Sequence, residues 1–185
     1  DNSGGQRLDV IGMLLFILQA SIITGYNVER FDLTYMIKRA QRLGSWRFLF
    51  CGIFPEPLRY AEKKFQSSAT QTRFHVNVSV PGMLVLDVFR VAQKMGFRIL
   101  TLNYVSSTEL GHHKTDVHHT QIVVLSNGTK ADVQWLIIYC QKDTQLPLEL
   151  LGGWQTIPGD MQMARDTGTQ HKNLITEGQG EKGDS

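Results

Sequence analysis

An α/β layer fold is predicted from two apolar patterns that alternate along the 185 residues. Short segments at residues 22–26, 74–80 and 83–86 are rich in β-branched residues or alternate apolar with polar residues, as strands do. The segments around them place apolar residues at helical spacing. Hydrophobic content of 42% and charged content of 19% are typical of a globular protein, and the length suits one domain with a substantial core.

The first apolar stretch, residues 10–23, predicts a buried helix over about residues 9–20. Val10, Leu14 and Leu18 recur there at every fourth position, which would place them on one helix face. Glycine and polar residues interrupt the stretch, and it is shorter than the roughly 20 residues that a membrane span needs. We therefore expect a core helix rather than a membrane span or a signal peptide.

Residues 22–43 predict a strand, a loop and then a helix from Asp32 to Leu43. The apolar positions 33, 36, 37 and 40 follow helical spacing, and Gly44 is a natural stop. Asp32 thus lies where a buried strand has ended, at the edge of the sheet where open α/β folds bind their ligands. The residue types alone leave two interpretations, a functional carboxylate or an Asp that caps the helix N-terminus.

The rest of the chain predicts one further strand pair and three helices. Pro55 and Pro57 lie in a segment, residues 45–73, that is expected to be irregular. Residues 74–80 alternate as a half-buried strand, Pro81-Gly82 forms a turn, and residues 83–86 return as the next strand, which Asp87 ends. The predicted helices span residues 88–94, 102–110 and 130–151.

Composition excludes several classes of site. The formal charge of +2 does not indicate a nucleic-acid binder, although a local basic groove is compatible with it. Cys51 and Cys140 form no Cys-x-x-Cys motif and are expected to be buried free thiols. The histidine pairs at 112–113 and 118–119 lack the further ligands that zinc requires. The chain contains no glycine-rich phosphate-binding motif of the Walker or dinucleotide type.

Two motifs carry a family resemblance. Residues 25–32, GYNVERFD, resemble the second exonuclease motif of family B DNA polymerases, Tyr/Trp-Asn-x-x-x-Phe-Asp, and residues 139–143, YCQKD, resemble the third, Tyr-x-x-x-Asp. Residues 102–106, 110–111, 116–119 and 126–128 are similar to the delta branch of the family, in the same order. The resemblance extends from about residue 22 to the end.

This resemblance implies a ribonuclease H-like 3′-5′ exonuclease fold over residues 1–151. Residues 152–185 contain seven of the 17 glycines and few apolar residues, so they predict a poorly ordered tail, which by the resemblance leads toward a polymerase domain. It implies a nuclear DNA-directed DNA polymerase that proofreads the single-stranded 3′ end of a primer and works with accessory polymerase subunits. By the same resemblance, Asp32 and Asp143 hold two Mg²⁺ ions. Tyr139 then steers the attacking water, while Asn27 and Phe31 contact DNA.

Each of these residues also has a structural interpretation. Asn27 could form a turn and Phe31 could belong to the core, while Tyr139 and Asp143 could simply lie on an amphipathic helix. The first exonuclease motif, Asp-x-Glu, is absent from the sequence. The fold is therefore expected to lack its N-terminal strands, and the chain alone to be almost inactive. The alternatives are a catalytically inactive module that binds nucleic acid or protein, and a diverged fragment without a role.

Overall fold

The computed structural model describes residues 2–67, 70–111, 119–157, 159 and 162. The chain divides into two compact units, Asp1–Asp87 and Val88–Ser185. A π-helical turn at Glu29–Leu33 precedes the second helix. The other elements are α1 (Asn2–Leu18), β1 (Ile22–Gly25), α2 (Thr34–Leu43), α3 (Trp46–Leu49), β2 (Arg59–Ser67), β3 (Thr70–Ser79), β4 (Leu84–Asp87), α4 (Val88–Lys94), α5 (Leu102–Leu110), α6 (His119–Ser126) and α7 (Lys130–Trp154).

In the first unit, β1 and β4 form a parallel pair that runs from Ile22 opposite Leu84 to Gly25 opposite Asp87. The prediction that residues 83–86 return beside the preceding strand was therefore wrong. After the Pro81-Gly82 turn, a single antiparallel bridge joins Val80 to Met83, and the chain then pairs with β1. β4 is buried at three successive positions, which is typical of a parallel strand covered on both faces.

The segment predicted to be irregular contains regular structure. A short helix, α3, occupies Trp46–Leu49, and β2 pairs antiparallel with β3 from Arg59 opposite Ser79 onward. The two prolines, Pro55 and Pro57, lie outside both elements, so their effect on the backbone is local. β2 carries few apolar residues, so its strand conformation depends on pairing with β3 rather than on an apolar pattern of its own.

The helix α1 exposes the stripe that was predicted to be buried. Val10, Leu14 and Leu18 are 55%, 51% and 70% exposed. The buried face instead carries Leu8 and Gly12, because a glycine lets the backbone of α3 approach more closely than a large side chain would. Asp9 also faces this contact and accepts a 2.6 Å hydrogen bond from the buried hydroxyl of Ser45.

The predicted amphipathic patterns of α2 and β3 are confirmed. Ile37 and Ala40 are buried, and Gly44 ends α2 in the left-handed conformation. Val76, Val78 and Val80 are buried, whereas Asn77 between them is exposed. These residues contribute to a core that also contains Leu8, Val28, Leu33, Phe48, Cys51, Met83 and Val85.

In the second unit, α7 packs against α4, α5 and α6. The three predicted helices are confirmed, although α7 continues three residues beyond 151 to Trp154. Thr101 caps α5, and Thr129 with Asp132 forms a capping box at the start of α7. The part of the chain that the structure describes contains no helix that could span a membrane.

Three further expectations concern single residues or the tail. Cys51 is a buried free thiol, as predicted, but Cys140 is exposed on α7, so that prediction was wrong. The histidines at 112, 113 and 118 lie outside the described residues, as does the tail from residue 163 onward.

Candidate active site

The loop after β1 is built around the carboxylate of Asp87. Asn27 adopts a left-handed backbone conformation with φ of 58°, and its N–H donates a 2.7 Å hydrogen bond to Asp87 Oδ1. The N–H of Glu29 donates to Asp87 Oδ2 at 3.3 Å. Asn27 therefore has the turn-forming role that its residue type suggested, because Asn tolerates this backbone conformation better than most residues do.

The chain then enters a π-helical turn, Glu29–Leu33, before the regular helix α2 begins. The N–H of Leu33 reaches back five residues to the carbonyl of Val28 at 2.9 Å. The hydroxyl of Thr34 donates to the carbonyl of Glu29 at 2.6 Å and thereby occupies an acceptor at the start of the turn. Asp32 lies inside this widened turn, a conformation that is rare and often found at functional sites.

Asp32 and Phe31 both lie at the surface of the first unit. Phe31 is 61% exposed, so the interpretation of this ring as a core residue was wrong. The guanidinium of Arg30 lies 5.9 Å from the centroid of the Phe31 ring. Asp32 is also exposed, yet the surrounding protein removes enough water to raise the pKa of its carboxyl above the ordinary value. The motif thus presents an exposed aromatic ring and an exposed carboxylate at consecutive positions.

Two acidic residues at this site are buried, Glu29 within the motif and Asp87 at the end of β4. Asp87 and Glu29 are only 3% and 4% exposed, and Glu29 Oε2 accepts a 3.4 Å hydrogen bond from the N–H of Val78 in β3. Burial and the charge of Asp87 raise the pKa of Tyr26 to about 12. No functional role was predicted for Asp87 from the sequence. Its position could have suggested a role, because Asp87 ends an apolar segment that could pair with β1, the strand that leads into the motif.

In the second unit, Tyr139 and Asp143 lie one turn apart on α7, as their spacing predicted. Both are half-buried. The rings of Tyr139 and Trp135 stack with centroids 5.7 Å apart and an interplanar angle of 14°. Pro147 follows Asp143 by four residues inside the helix, so it cannot donate the usual helical hydrogen bond to the Asp143 carbonyl.

The predicted site residues therefore form two local sets. Asn27, Phe31 and Asp32 share one loop in the first unit, and Tyr139 and Asp143 share one helix face in the second. Among the described residues, no group of three or more His, Cys, Asp or Glu side chains is arranged to hold a metal ion. Convergence of Asp32 with Asp143 stays a prediction.

The segment that carries Asn27, Phe31 and Asp32 matches a known class of nuclease domain. Residues 10–105, just over half of the chain, match the exonuclease domain of DNA polymerase family B, and the chain belongs to this family. It is similar to the DNA polymerase delta catalytic subunit of Bos taurus, with 38% identity over 165 residues, and to that of Candida albicans, with 38% over 160. The Drosophila melanogaster subunit is 35% identical over 176 residues.

These matches cover most of this chain but only a small part of each relative. They include 88%, 85% and 94% of this chain, but only 15%, 15% and 16% of the respective relatives. The chain therefore spans about a sixth or less of the length of the curated relatives it matches. The family match contains the loop with Asn27, Phe31 and Asp32, and it ends before α7.

Proposed function

We propose that this chain is part of the proofreading 3′-5′ exonuclease domain of a nuclear, delta-type DNA-directed DNA polymerase, with a ribonuclease H-like fold. The observation that carries the proposal is the position of Asp32. It lies at the surface, in a π-helical turn that follows a parallel strand, inside the segment that matches the family's exonuclease domain. Its substrate would be the single-stranded 3′ end of a primer, and accessory polymerase subunits would be its protein partners.

The donor chemistry of Asp32 and Asp143 fits a hard divalent cation such as Mg²⁺, which prefers carboxylate oxygens. The raised pKa of Asp32 shows that its surroundings disfavour the charged form. A bound cation would offset this, so the site suits a carboxylate that works with a metal. Two such ions, when bound, supply the activation of a water molecule and the stabilisation of the leaving 3′ oxygen.

The other motif residues would bind and orient the substrate. The exposed ring of Phe31 offers a face on which a terminal base could stack, and Arg30 beside it adds positive charge near the phosphates. The left-handed turn at Asn27 holds this residue at the strand end, where its side chain would contact the same strand of DNA. Tyr139 would orient the attacking water, and its stacking on Trp135 limits the freedom of its ring.

The chain supplies only part of the ligand set. Its sequence contains no Asp-x-Glu, and its described residues contain no cluster of three metal-binding side chains. We therefore propose that the 185-residue chain alone has little or no nuclease activity, because two carboxylates cannot compensate the charge of two divalent ions. Robust Mg²⁺-dependent 3′-5′ digestion of single-stranded DNA by the purified chain would contradict this.

The proposal is tested by substitution in the full-length enzyme. Asp32→Ala and Asp143→Ala should each abolish removal of a mismatched 3′ nucleotide while leaving primer extension intact. Glu56→Gln is a matched control, since this exposed carboxylate pairs with Arg59 at the surface and should leave both activities unchanged. Equal loss of proofreading and synthesis would show that the two aspartates are structural. Unchanged proofreading would favour a catalytically inactive module that binds nucleic acid or protein.

A further inference from the structure

We propose, on the basis of the proposed exonuclease function, that Asp87 is a positioning residue whose buried carboxylate fixes the loop from which Asp32 projects. Asp87 ends β4, directly opposite Gly25 at the end of β1. Both of its oxygens accept backbone hydrogen bonds from the loop that carries the motif. It belongs to no motif of its own, and it would act on the reaction only through Asp32.

The two hydrogen bonds define the start of the π-helical turn. Oδ1 accepts from the N–H of Asn27 at 2.7 Å, and Oδ2 accepts from the N–H of Glu29 at 3.3 Å. One bond thus holds the residue with the left-handed backbone, and the other holds the first residue of the turn. Each joins residues about 60 positions apart in the chain. A carboxylate suits this role because hydrogen bonds to a charged acceptor are stronger than those to a neutral one.

The anchored residues are connected to both neighbours of Asp32. The N–H of Phe31, which precedes Asp32, donates to the carbonyl of Asn27 at 3.1 Å. The N–H of Leu33, which follows Asp32, donates to the carbonyl of Val28 at 2.9 Å. A shift of the loop at Asn27 would therefore displace the backbone on both sides of Asp32. In catalysis, a misplacement of about 1 Å can cost about 100-fold in rate.

A purely structural role would give different results from a positioning role. If Asp87 only supported the β1–β4 pair, its loss would lower stability and reduce every activity together. If it positions Asp32, its loss should reduce the exonuclease turnover and raise the Mg²⁺ concentration needed, while synthesis continues. Thr24 offers a matched structural control, because its hydroxyl donates a 2.8 Å hydrogen bond to the carbonyl of Leu86 across the same strand pair.

The experiment compares Asp87→Asn, Thr24→Val and Asp32→Ala in the full-length enzyme. Asn has nearly the shape of Asp but only one acceptor oxygen, so one of the two loop N–H groups loses its partner. The measurements are exonuclease kcat and KM on a single-stranded primer, the Mg²⁺ concentration for half-maximal rate, primer extension, thermal unfolding, and hydrogen–deuterium exchange of peptides that cover residues 26–34. Exchange reports on the loop independently of activity.

We expect Asp87→Asn to lower kcat by about 10–100-fold with KM changed less than about twofold. The loop should exchange faster, and primer extension should persist. Thr24→Val should lower thermal stability without this selective loss. Faster loop exchange with an unchanged kcat would overturn the inference, as would a loss of kcat no larger than that of Thr24→Val.

If Asp87→Asn does not fold, Asp87→Glu keeps the charge and both acceptors but displaces the loop by one methylene. The same selective loss of kcat is then expected, and an unchanged kcat would again overturn the inference.

The outcome for Asp32→Ala separates the two proposals. If Asp32→Ala is inactive and Asp87→Asn is fully active, only the positioning role of Asp87 is contradicted. If Asp32→Ala is fully active, the proposed exonuclease function of this site is contradicted, and so is the positioning role of Asp87.

Discussion

The Cα atom of Phe48 lies 2.8 Å from the point where a β-carbon on Gly12 would stand. The carbonyl oxygen of Arg47 is equally close to that point. Both neighbours are backbone atoms of α3, which cannot rotate away as the end of a side chain could. The contact between α1 and α3 therefore requires glycine at position 12.

We expect Gly12→Ala to destabilise the first unit. Alanine in a helix normally gains about 0.5–1 kcal/mol over glycine, but overpacking against backbone costs about 1–3 kcal/mol and should outweigh this gain. Gly5 in the same helix is the control, since a β-carbon there would meet Leu43 at an ordinary 3.8 Å. Urea unfolding of both variants provides the measurement. A Gly12→Ala protein as stable as Gly5→Ala would show that α1 and α3 are not in close contact.

The titration of two aspartates predicts stability effects of opposite sign. Partial desolvation raises the pKa of Asp32 above 3.8 in the folded state, so its contribution to stability is lost as pH rises through that folded pKa. Asp32→Asn should therefore be more stable than the wild type near neutral pH, and the difference should vanish below 3.8. A gain in stability on loss of a functional carboxylate is the expected trade-off at an active site.

Asp132 provides the comparison. The hydroxyl and N–H of Thr129 lower the pKa of Asp132, so its contribution is present above 3.8 and is lost as pH falls through the lower folded pKa. Asp132→Asn should therefore lower stability near neutral pH. Thermal unfolding of both variants, measured at several pH values, gives both differences. Destabilisation by Asp32→Asn near neutral pH would mean that the charged carboxylate is favourably compensated in the folded chain.

The phenol of Tyr139 can be separated from its ring. Tyr139→Phe keeps the ring that stacks on Trp135, so it should lower thermal stability less than Tyr139→Ala does. If the hydroxyl orients water, the exonuclease rate of the full-length enzyme should fall by about 100-fold or more. Tyr139→Ala should lose both stability and rate. Full activity of Tyr139→Phe would leave only a packing role for this residue.

Elements with strong local signals were predicted well from the sequence. Helix α5 is preceded by the N-cap Thr101, whose hydroxyl accepts from the N–H of Tyr104, and is followed by Gly111 in the left-handed conformation. Helix α4 and the stop of α2 at Gly44 were found for similar reasons. Caps and helical periodicity depend on residues within a few positions of one another, so they are visible in the sequence itself.

The errors concern contacts between distant segments. The apolar periodicity of α1 suggested the wrong buried face, because the close approach of α3 at Gly12 depends on a partner about 35 residues away. The strand character of residues 59–67 depends on pairing with β3. The partner of residues 84–87 is β1, about 62 residues earlier, and the local turn at Pro81-Gly82 suggested a different neighbour.

By itself, the sequence determined the family, the two motifs and the residue types that could bind a metal, because these are carried by short contiguous patterns. Only the tertiary structure decided that β1 pairs with β4 and that Asp87 therefore meets the loop before Asp32. The physical reason is that a parallel strand pair joins segments far apart in the chain, and no local pattern specifies which strand will supply the partner.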